Sequence, residues 1–422
     1  MVHNATSDRA LIVGAGHAAS ELAGSLRQGG FAGGITMVGE EPHLPYQRPP
    51  LSKAFLSGEA DIEAIQLKSR ASYDKARIDV RLSMRVVGVD RAGKHVTLAD
   101  GSRERYDKLI LATGGRPRVL DIPGLQTPGS LTNLHYLRTI RDAERMRHQL
   151  RHGFRLVIVG GGYIGLEVAA VARRHGLRVT VLETLPRVLA RVTAPELSLF
   201  YEEVHRGAGV DLRTGTMIRD VQIDESADAI TAVSCMNGDV IPADLVVIGV
   251  GLIPNTEVAE QAGLAVDNGI VVDEFARTAD PDIFAIGDCS NHPSSLYGRR
   301  IRLESVPNAV LQARTVAALL CGKPLPPAAV PWFWSDQYDL KLQIVGLSQG
   351  YDRLVVRGKF EDRSFIAFYL RDAHVVAADA VNRPKEFLLA KRLVADNISI
   401  SSTDQLRDES LPLQDLLKST IN

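Results

Sequence analysis

Short apolar runs rich in β-branched residues recur along the chain, and several of them end in glycine. Residues 10–13 and 156–159 are each followed by a glycine-rich turn and then by a stretch with helical periodicity. Runs of this kind predict parallel strands that are buried on both faces. The chain is therefore expected to contain two βαβ units that lie far apart in sequence.

The regions that follow these two units are also alike. Residues 109–115 and 244–251 are apolar runs that end in glycines, and a third run at 283–286 leads into Gly287 and Asp288. Because the two halves are organised in the same way, the pattern predicts two related nucleotide-binding folds, with one inserted into the other.

The C-terminal part has a different pattern. A proline-rich stretch at 323–331 marks a boundary. Beyond it, residues 340–345 and 364–369 alternate as half-buried strands do, which predicts a mostly antiparallel sheet. A helix is expected near residues 384–395.

The two glycine-rich turns contain the residue types that hold a dinucleotide. They read Gly14-Ala15-Gly16-His17-Ala18-Ala19 and Gly160-Gly161-Gly162-Tyr163-Ile164-Gly165. The first glycine permits a tight bend, the second lets the backbone approach a pyrophosphate, and the small last residue lets helix and strand pack closely. An acid that can bind a ribose follows the second strand of each unit, at Glu40 and Glu183. Since the glycine pattern alone is common, these acids favour two dinucleotide sites over two ordinary turns.

Glu183 also bears on the choice of nicotinamide cofactor. A carboxylate at the ribose 2′ position repels the additional phosphate of NADPH, and no arginine follows at once. The sequence therefore favours NADH, although Arg187 is close enough in sequence to weaken that preference.

Composition narrows the classes of function. The 422 residues suggest two or three domains, and the net charge of -1 does not favour nucleic acid or an anionic membrane as a partner. The first eight residues lack a secretory pattern, so we expect a cytoplasmic protein. The cysteines are too widely separated for a redox-active pair or a metal site and are expected to be buried: Cys235, Cys289 and Cys321.

Taken in order, the motifs resemble a known family. They are the first glycine turn, Arg48-Pro49-Pro50-Leu51-Ser52-Lys53, Ala112-Thr113-Gly114, the second glycine turn, Ala285-Ile286-Gly287-Asp288 and Pro331-Trp332-Phe333-Trp334-Ser335-Asp336-Gln337. Nearly the whole chain resembles the FAD-dependent ferredoxin reductases of bacterial oxygenase systems. The resemblance implies a glutathione-reductase-like α/β fold. Its FAD domain would comprise residues 1–116 and 249–330, its NADH domain 117–248, and its C-terminal α+β interface domain 331–422.

The resemblance also implies site residues. For FAD they are Gly14, Gly16, Ala19, Glu40, Arg48, Lys53, Ala112, Thr113, Gly114, Asp288 and Val306. For NADH they are Gly160, Gly162, Ile164, Gly165, Glu167, Glu183 and Gly251. The resemblance implies catalytic roles for Lys53 and Glu167 as an ion pair beside the flavin, and for Trp334 on the ferredoxin side.

The implied function is a reductase that passes electrons from NADH through FAD, one at a time, to a [2Fe-2S] ferredoxin serving a haem monooxygenase. Because ferredoxins are usually acidic, a transient complex is expected to use basic residues, with Arg314, Lys341 and Arg383 as candidates. The expected oligomeric state is a monomer or a weak dimer.

Other functions stay open. A ferredoxin or rubredoxin reductase of a dioxygenase or hydroxylase system would differ mainly in its electron acceptor. A disulfide or peroxide reductase is disfavoured because residues 45–56 contain no cysteine. A regulatory flavoprotein that senses NADH, like apoptosis-inducing factors, shares the Arg48–Lys53 motif, but the chain shows neither their targeting segment nor their basic character.

Overall fold

The computed structural model describes residues 8–122, 125, 131–400 and 402–418. It forms two compact units. Unit 1 comprises Met1–Arg48, Ile62–Arg116 and Leu252–Ala329, and unit 2 comprises Pro49–Asp61, Pro117–Gly251 and Val330–Asn422. The N-terminal segment that lacks a secretory pattern lies almost wholly outside the described residues.

The helices of the chain differ widely in length. In chain order they are α1 (His17–Gly29), α2 (Ile62–Ile65), α3 (Arg70–Lys75), α4 (Ile140–Arg147), α5 (Tyr163–Arg174), α6 (Pro195–Gly207), α7 (Glu257–Gln261), α8 (Val306–Leu320), α9 (Pro384–Ala395), α10 (Thr403–Arg407) and α11 (Leu413–Lys418). Short 3₁₀ helices cover Pro49–Ser52 and Gly287–Cys289. None of the helices in the described ranges has both the length and the apolar character needed to cross a bilayer.

The strands are mostly short. In chain order they begin with β1 (Arg9–Val13), β2 (Gly34–Val38), β3 (Ile78–Arg81), β4 (Val86–Asp90), β5 (His95–Leu98), β6 (Arg103–Arg105), β7 (Lys108–Leu111), β8 (Gly115–Pro117), β9 (Leu134–Tyr136), β10 (Arg155–Val159), β11 (Arg178–Leu182), β12 (Asp211–Arg213) and β13 (Ile218–Asp224). The remainder are β14 (Ala229–Cys235), β15 (Val240–Pro242), β16 (Leu245–Ile248), β17 (Leu252–Pro254), β18 (Ile270–Val271), β19 (Ile283–Ala285), β20 (Ser290–Ser294), β21 (Arg299–Ile301), β22 (Trp332–Gln337), β23 (Leu340–Gly346), β24 (Arg353–Lys359), β25 (Ser364–Arg371) and β26 (His374–Val381).

Unit 1 is organised around a parallel sheet with the strand order β19-β7-β1-β2-β3. Helix α1 follows β1, and its buried Leu22 and Leu26 share one hydrophobic core with Val316 of α8. The apolar side chains of α1 therefore fix where its first turn lies relative to the carboxyl ends of the strands. In open parallel sheets, ligands bind at those ends.

Unit 2 contains a second parallel sheet, in the order β12-β11-β10-β16-β9. Its central strands are buried on both faces, and α5, which follows β10, is buried along most of its length. The predicted similarity of the two βαβ regions is thus present in the structure.

The C-terminal part of unit 2 is an antiparallel sheet in the order β22-β23-β26-β25-β24. Helix α9 covers it with Phe387 and Leu393, which belong to the same core as Phe368. Both the antiparallel sheet and the helix at 384–395 agree with the sequence pattern.

Two details differ from the expectations. The prediction that every cysteine is buried holds for Cys235 and Cys289, but Cys321 is only half-buried at the end of α8. Residues 49–61 group with unit 2, whereas the resemblance implies that they belong to the first FAD segment. The 3₁₀ helix Pro49–Ser52 packs against α4 and α5, which explains this grouping.

Candidate dinucleotide sites and a buried ion pair

The first glycine turn has one closed side and one open side. Gly14 has a φ of +116°, and a Cβ atom there would lie 2.2 Å from the carbonyl oxygen of Ala112. Its N–H donates to the oxygen of Val38 at 2.8 Å, which ties the turn to the end of β2. At Gly16 a Cβ would meet no atom within 4 Å. The turn is therefore packed against the 112–114 segment on one side and leaves space in front of α1 on the other.

Other predicted FAD residues of unit 1 lie in α1, in the 3₁₀ helix that contains Asp288, and at the start of α8. Asp288 lies in the 3₁₀ helix Gly287–Cys289, where a Cβ on Gly287 would lie 3.3 Å from the Cβ of Ala18. Ala19 is fully buried. Val306 begins α8, whose N-cap Ser305 accepts from the Asn308 N–H. The structure thus brings the Asp288 segment to the first turn of α1.

Arg48 is held by neighbours within unit 1. Its guanidinium donates to Glu41 at 2.8 Å and to the Tyr46 hydroxyl at 2.9 Å. Burial opposes the charge on Arg48, but Glu41 and Asp288 contribute to a net rise in its pKa. Glu40 is different, since its carboxylate is 68% exposed and approaches Arg85 only at 3.7 Å.

The 112–114 segment is fixed by Asn255. The Thr113 hydroxyl donates to the Asn255 oxygen at 2.6 Å, and the Asn255 amide donates back to the Thr113 oxygen at 2.9 Å. The N–H of Asn255 also donates to Gly114 at 3.0 Å. Two loops that follow different strands of the sequence are therefore joined by three hydrogen bonds.

The second glycine turn repeats the geometry of the first. Gly160 has a φ of +113°, and a Cβ there would lie 2.3 Å from the Gly249 oxygen. Gly162 faces open space, whereas a Cβ at Gly165 would lie 2.1 Å from the Gly160 oxygen. The side chain of Ile164 is 48% exposed beside the turn.

Gly251 lies just beyond the segment against which this turn packs. Its carbonyl oxygen accepts from the Arg118 N–H at 2.9 Å.

The acid of the second unit is bonded to its own glycine turn. One oxygen of Glu183 accepts from the Gly161 N–H at 2.7 Å, and the other accepts from the Leu185 N–H at 2.8 Å. The Arg187 guanidinium donates to the Thr193 oxygen of the following loop at 2.9 Å and to the Ser198 hydroxyl of α6 at 2.6 Å. The guanidinium of Arg187, which the sequence left as a possible ligand for a 2′-phosphate, is therefore already hydrogen-bonded within the protein.

The expected Lys53–Glu167 ion pair is present. The Lys53 Nζ lies 2.7 Å from Oε2 of Glu167, and the two side chains are 17% and 4% exposed. Glu167 also accepts from the Ser52 hydroxyl at 2.5 Å and from the Ser335 hydroxyl at 2.6 Å. A buried carboxylate requires such donors because an ion without them would be strongly destabilised.

Sequence reasoning missed the two serines that hold Glu167. Ser52 stands beside Lys53 in one of the motifs that carry the family resemblance. Ser335 follows Trp334 in β22, and successive residues of a strand point to opposite faces. That alternation was the available signal, because it places Ser335 and Gln337 on the face opposite to Trp332 and Trp334.

Trp334 belongs to an aromatic cluster of unit 2. Its ring centroid lies 5.6 Å from that of Trp332 and 6.4 Å from that of Phe333. Phe333 in turn packs on Tyr163, the first residue of α5, at 5.1 Å. The second glycine turn and the tryptophan segment are therefore in contact within one unit.

Two of the three candidate docking cations are already paired. Arg314 donates to Glu21 at 2.7 Å, and Arg383 contacts Glu386 and Glu409 at 2.9 and 2.8 Å. Lys341 is exposed on β23. Of the three, Lys341 has the side chain most available to an acidic partner.

Both turns fit the pyrophosphate of a dinucleotide. Neither α1 nor α5 has a side-chain N-cap hydrogen bond, and the second glycine of each turn faces open space. The Nδ1 atom of His17, in the first turn of α1, is buried without a partner among the described residues. Burial lowers the pKa of His17, so this nitrogen is neutral and can serve a ligand by hydrogen bonding.

Comparisons with known proteins agree with this geometry. Residues 8–313 match the pyridine nucleotide-disulphide oxidoreductase family, and residues 332–417 match the reductase C-terminal family. The chain is 48% identical over 411 residues to putidaredoxin reductase CamA of Pseudomonas putida, covering 97% of each chain. It is 44% identical over 407 residues to the 5,5′-dehydrodivanillate O-demethylase ferredoxin reductase subunit of a Sphingobium species, covering 96% of this chain and 97% of that one.

A solved structure shows the same similarity. The reductase in the covalent putidaredoxin reductase–putidaredoxin complex superposes with a TM-score of 0.95 at 48% identity, covering 98% of this chain and 99% of that chain.

Proposed function

The chain belongs to the pyridine nucleotide-disulphide oxidoreductase family, and on that premise we propose that it is an NADH-dependent FAD reductase that supplies electrons to a [2Fe-2S] ferredoxin. The observation that carries the proposal is the pair of dinucleotide-type turns, one in each unit, built with the same glycine geometry. Two such turns suit two dinucleotides, and the family supplies their identities as a flavin nucleotide and a nicotinamide nucleotide.

FAD is assigned to unit 1 and NADH to unit 2. In unit 1 the FAD ligands would be the Gly14 turn, the 112–114 segment, Arg48 and Asp288. When bound, FAD supplies the redox chemistry that links two-electron hydride donation by NADH to one-electron transfer to a ferredoxin. The Gly160 turn and Glu183 would hold NADH.

Lys53 and Glu167 would serve the reaction through charge. The ammonium of Lys53 would stabilise negative charge on a reduced ring, and Glu167 would keep that ammonium in place through their 2.7 Å contact. No side chain has to act as a general acid or base in hydride transfer. The free cysteines of the chain are Cys235, Cys289 and Cys321, none of them in residues 45–56, so no dithiol is invoked.

NADH is proposed over NADPH. Glu183 is held by two N–H groups beside the turn, where its charge would oppose a 2′-phosphate. Arg187 makes two hydrogen bonds to its own loop and one to Ser198 of α6, and it would have to break them to reach such a phosphate.

The electron acceptor is proposed from the relatives. Putidaredoxin reductase, at 48% identity, favours a [2Fe-2S] ferredoxin of a haem monooxygenase system. The O-demethylase subunit, at 44%, keeps a second candidate open, a ferredoxin that serves another oxygenase. Lys341 and Trp334 are proposed for the ferredoxin side. The cytoplasmic location and the monomeric or weakly dimeric state stay predictions, which cell fractionation and sedimentation would test.

The proposal is tested by anaerobic mixing of the yellow protein with NADH or NADPH, followed by an added [2Fe-2S] ferredoxin. We expect fast bleaching of the flavin with NADH and recovery of its absorbance when ferredoxin is added.

Lys53→Met should keep the colour and slow bleaching by roughly tenfold or more, since it removes a charge contact. Lys359→Met, an exposed lysine at the end of β24, is the matched control and should leave the rate unchanged.

Two results would contradict this assignment. A protein purified without flavin that takes up none would remove FAD from it. Slow reduction that leaves a long-lived charge-transfer complex, which no ferredoxin discharges, would instead support a regulatory flavoprotein that senses NADH.

A further inference from the structure

A row of hydrogen-bonded side chains leads from Glu167 into the interior of unit 2. The Ser335 hydroxyl donates to Glu167 at 2.6 Å, and the Gln337 amide nitrogen lies 3.2 Å from the Ser335 oxygen. The Gln337 amide oxygen lies 2.9 Å from Nε2 of His205. The Tyr338 hydroxyl lies 3.2 Å from the other ring nitrogen, Nδ1. We call Ser335, Gln337, His205 and Tyr338 the Glu167 relay.

The direction of this row follows from what each group can donate. An ionised carboxylate only accepts, so Ser335 must give its single hydroxyl proton to Glu167. The Ser335 oxygen can then only accept from Gln337, which turns the amide nitrogen toward it. The opposite amide orientation would place two acceptors against each other at 3.2 Å in a buried site.

The orientation of Gln337 fixes the tautomer of His205. With its oxygen facing the ring, Gln337 must accept from a protonated Nε2. Nδ1 then has no proton and accepts from the Tyr338 hydroxyl. His205 is fully buried, and burial lowers its pKa to about 4, so the neutral ring that this arrangement requires is present at neutral pH.

We propose that the Glu167 relay is a positioning device: its four hydrogen bonds all run toward Glu167, keep that carboxylate oriented on Lys53, and so place the charge of Lys53 for flavin reduction. The role in flavin reduction rests on the proposed function. The relay residues are assigned no contact with the flavin or with NADH, and they act through Glu167.

The strand geometry explains why these residues can serve together. Ser335 and Gln337 are two apart in β22, so they lie on one face of the strand, and both are 1% exposed. Ser52 and Lys53 approach Oε2 of Glu167, while Ser335 approaches Oε1. Both oxygens are thus satisfied, and a rotation of the carboxylate would break hydrogen bonds on each side.

The first experiment reads the tautomer of His205 without any substrate. Protein labelled with ¹⁵N-histidine gives ring nitrogen shifts that distinguish protonated Nε2 from protonated Nδ1, and a His205→Phe variant assigns the signal. We expect protonated Nε2 in the wild type. His135 is the matched control, because it is also buried, has a lowered pKa and contacts a glutamine, Gln149, at 3.3 Å outside the relay.

The second experiment breaks the relay at Ser335. In Ser335→Ala the Gln337 amide loses the acceptor that orients it, so His205 should populate both tautomers while the His135 signal stays unchanged. Flavin reduction by NADH should slow roughly tenfold, the effect of losing one hydrogen bond to a charged group, with little change in NADH affinity. Ser335→Thr keeps the hydroxyl and should restore both the tautomer and the rate.

The outcomes separate the relay from the proposed function. Two results would contradict the proposed hydrogen-bond directions of the relay: protonated Nδ1 in the wild type, or a His205 signal that does not change in Ser335→Ala. A changed tautomer with an unchanged rate of flavin reduction would overturn its positioning role. If wild-type protein shows the expected tautomers but NADH reduces no flavin, the proposed function fails while the relay stands.

Discussion

The two glycine turns share a backbone but use their acids differently. Gly14 and Gly160 have φ values of +116° and +113°, and each donates its N–H to the last residue of the second strand at 2.8 Å. In unit 1, Glu40 is two-thirds exposed and lies near Arg85. In unit 2, both oxygens of Glu183 accept backbone N–H groups, one of them from the turn itself.

The difference shows that one sequence motif can support two electrostatic arrangements. The exposed side chain of Glu40 can reorient toward a ribose. Glu183 is hydrogen-bonded to its glycine turn and so helps to hold the shape of that turn. Glu183 follows β11 directly, while Gly39 separates Glu40 from β2. That glycine is required because a Cβ there would lie 2.5 Å from the Cβ of Ala15. One additional residue after the strand therefore decides whether the acid reaches the turn.

The largest effects are expected at the first glycines. Gly14→Ala and Gly160→Ala each force a side chain into a left-handed conformation against a carbonyl oxygen about 2 Å away. We expect each change to destabilise its own unit by about 2–4 kcal/mol, measured by denaturant unfolding, and Gly14→Ala to lose FAD. Unfolding midpoints equal to that of the wild type would contradict the shared geometry of the turns.

The second glycines should separate ligand binding from stability. A Cβ at Gly16 or Gly162 meets no protein atom within 4 Å, so either alanine variant should unfold like the wild type. The methyl group would instead occupy space proposed for a pyrophosphate. We expect Gly16→Ala to weaken FAD binding and Gly162→Ala to weaken NADH binding, each by about 10–100-fold in calorimetry. Each variant is the other's control, since loss of both ligands in one variant would point to misfolding.

The acids should differ most in their effect on cofactor choice. Glu183→Gln removes the charge that opposes a 2′-phosphate and weakens two hydrogen bonds of the turn. We expect the preference for NADH over NADPH, taken from the ratio of kcat/KM values, to fall about tenfold, with about 1 kcal/mol lost in stability. Glu40→Gln should leave that ratio unchanged and alter stability by less than about 0.5 kcal/mol. Equal effects from both substitutions would mean that the two acids do not differ in role.

Arg187 tests whether the loop after β11 affects stability without affecting the choice of cofactor. Because its guanidinium bonds to its own loop, Arg187→Ala should lower stability by about 1–2 kcal/mol and leave the preference for NADH as it is. Denaturant unfolding and the ratio of kcat/KM values measure these two effects. A fall in NADPH activity alone would mean that Arg187 leaves the loop to bind the phosphate.

Much of the fold could be read from the sequence because it depends on neighbouring residues. The apolar runs at 10–13 and 156–159 lie in strands, the run at 283–286 contains β19, and the alternating runs after 330 form the antiparallel sheet. Strand periodicity, glycine at a positive φ and an acid after a strand are local properties. The Lys53–Glu167 contact was expected only through the resemblance to a family, since nothing local joins two residues so far apart.

The sequence by itself determined the strands, the two turns and the type of ligand that each turn suits. Only the tertiary structure decided how the polar groups pair. Ser335 reaches Glu167 across 168 positions, and His205 reaches Gln337 across 132. Such pairs form because burial removes water and each polar atom must find a partner among whatever side chains the packed elements bring close. Packing also decided the hydrogen bonds of Arg187 and those between Glu183 and its turn. These contacts depend on where a loop folds back and not on its composition.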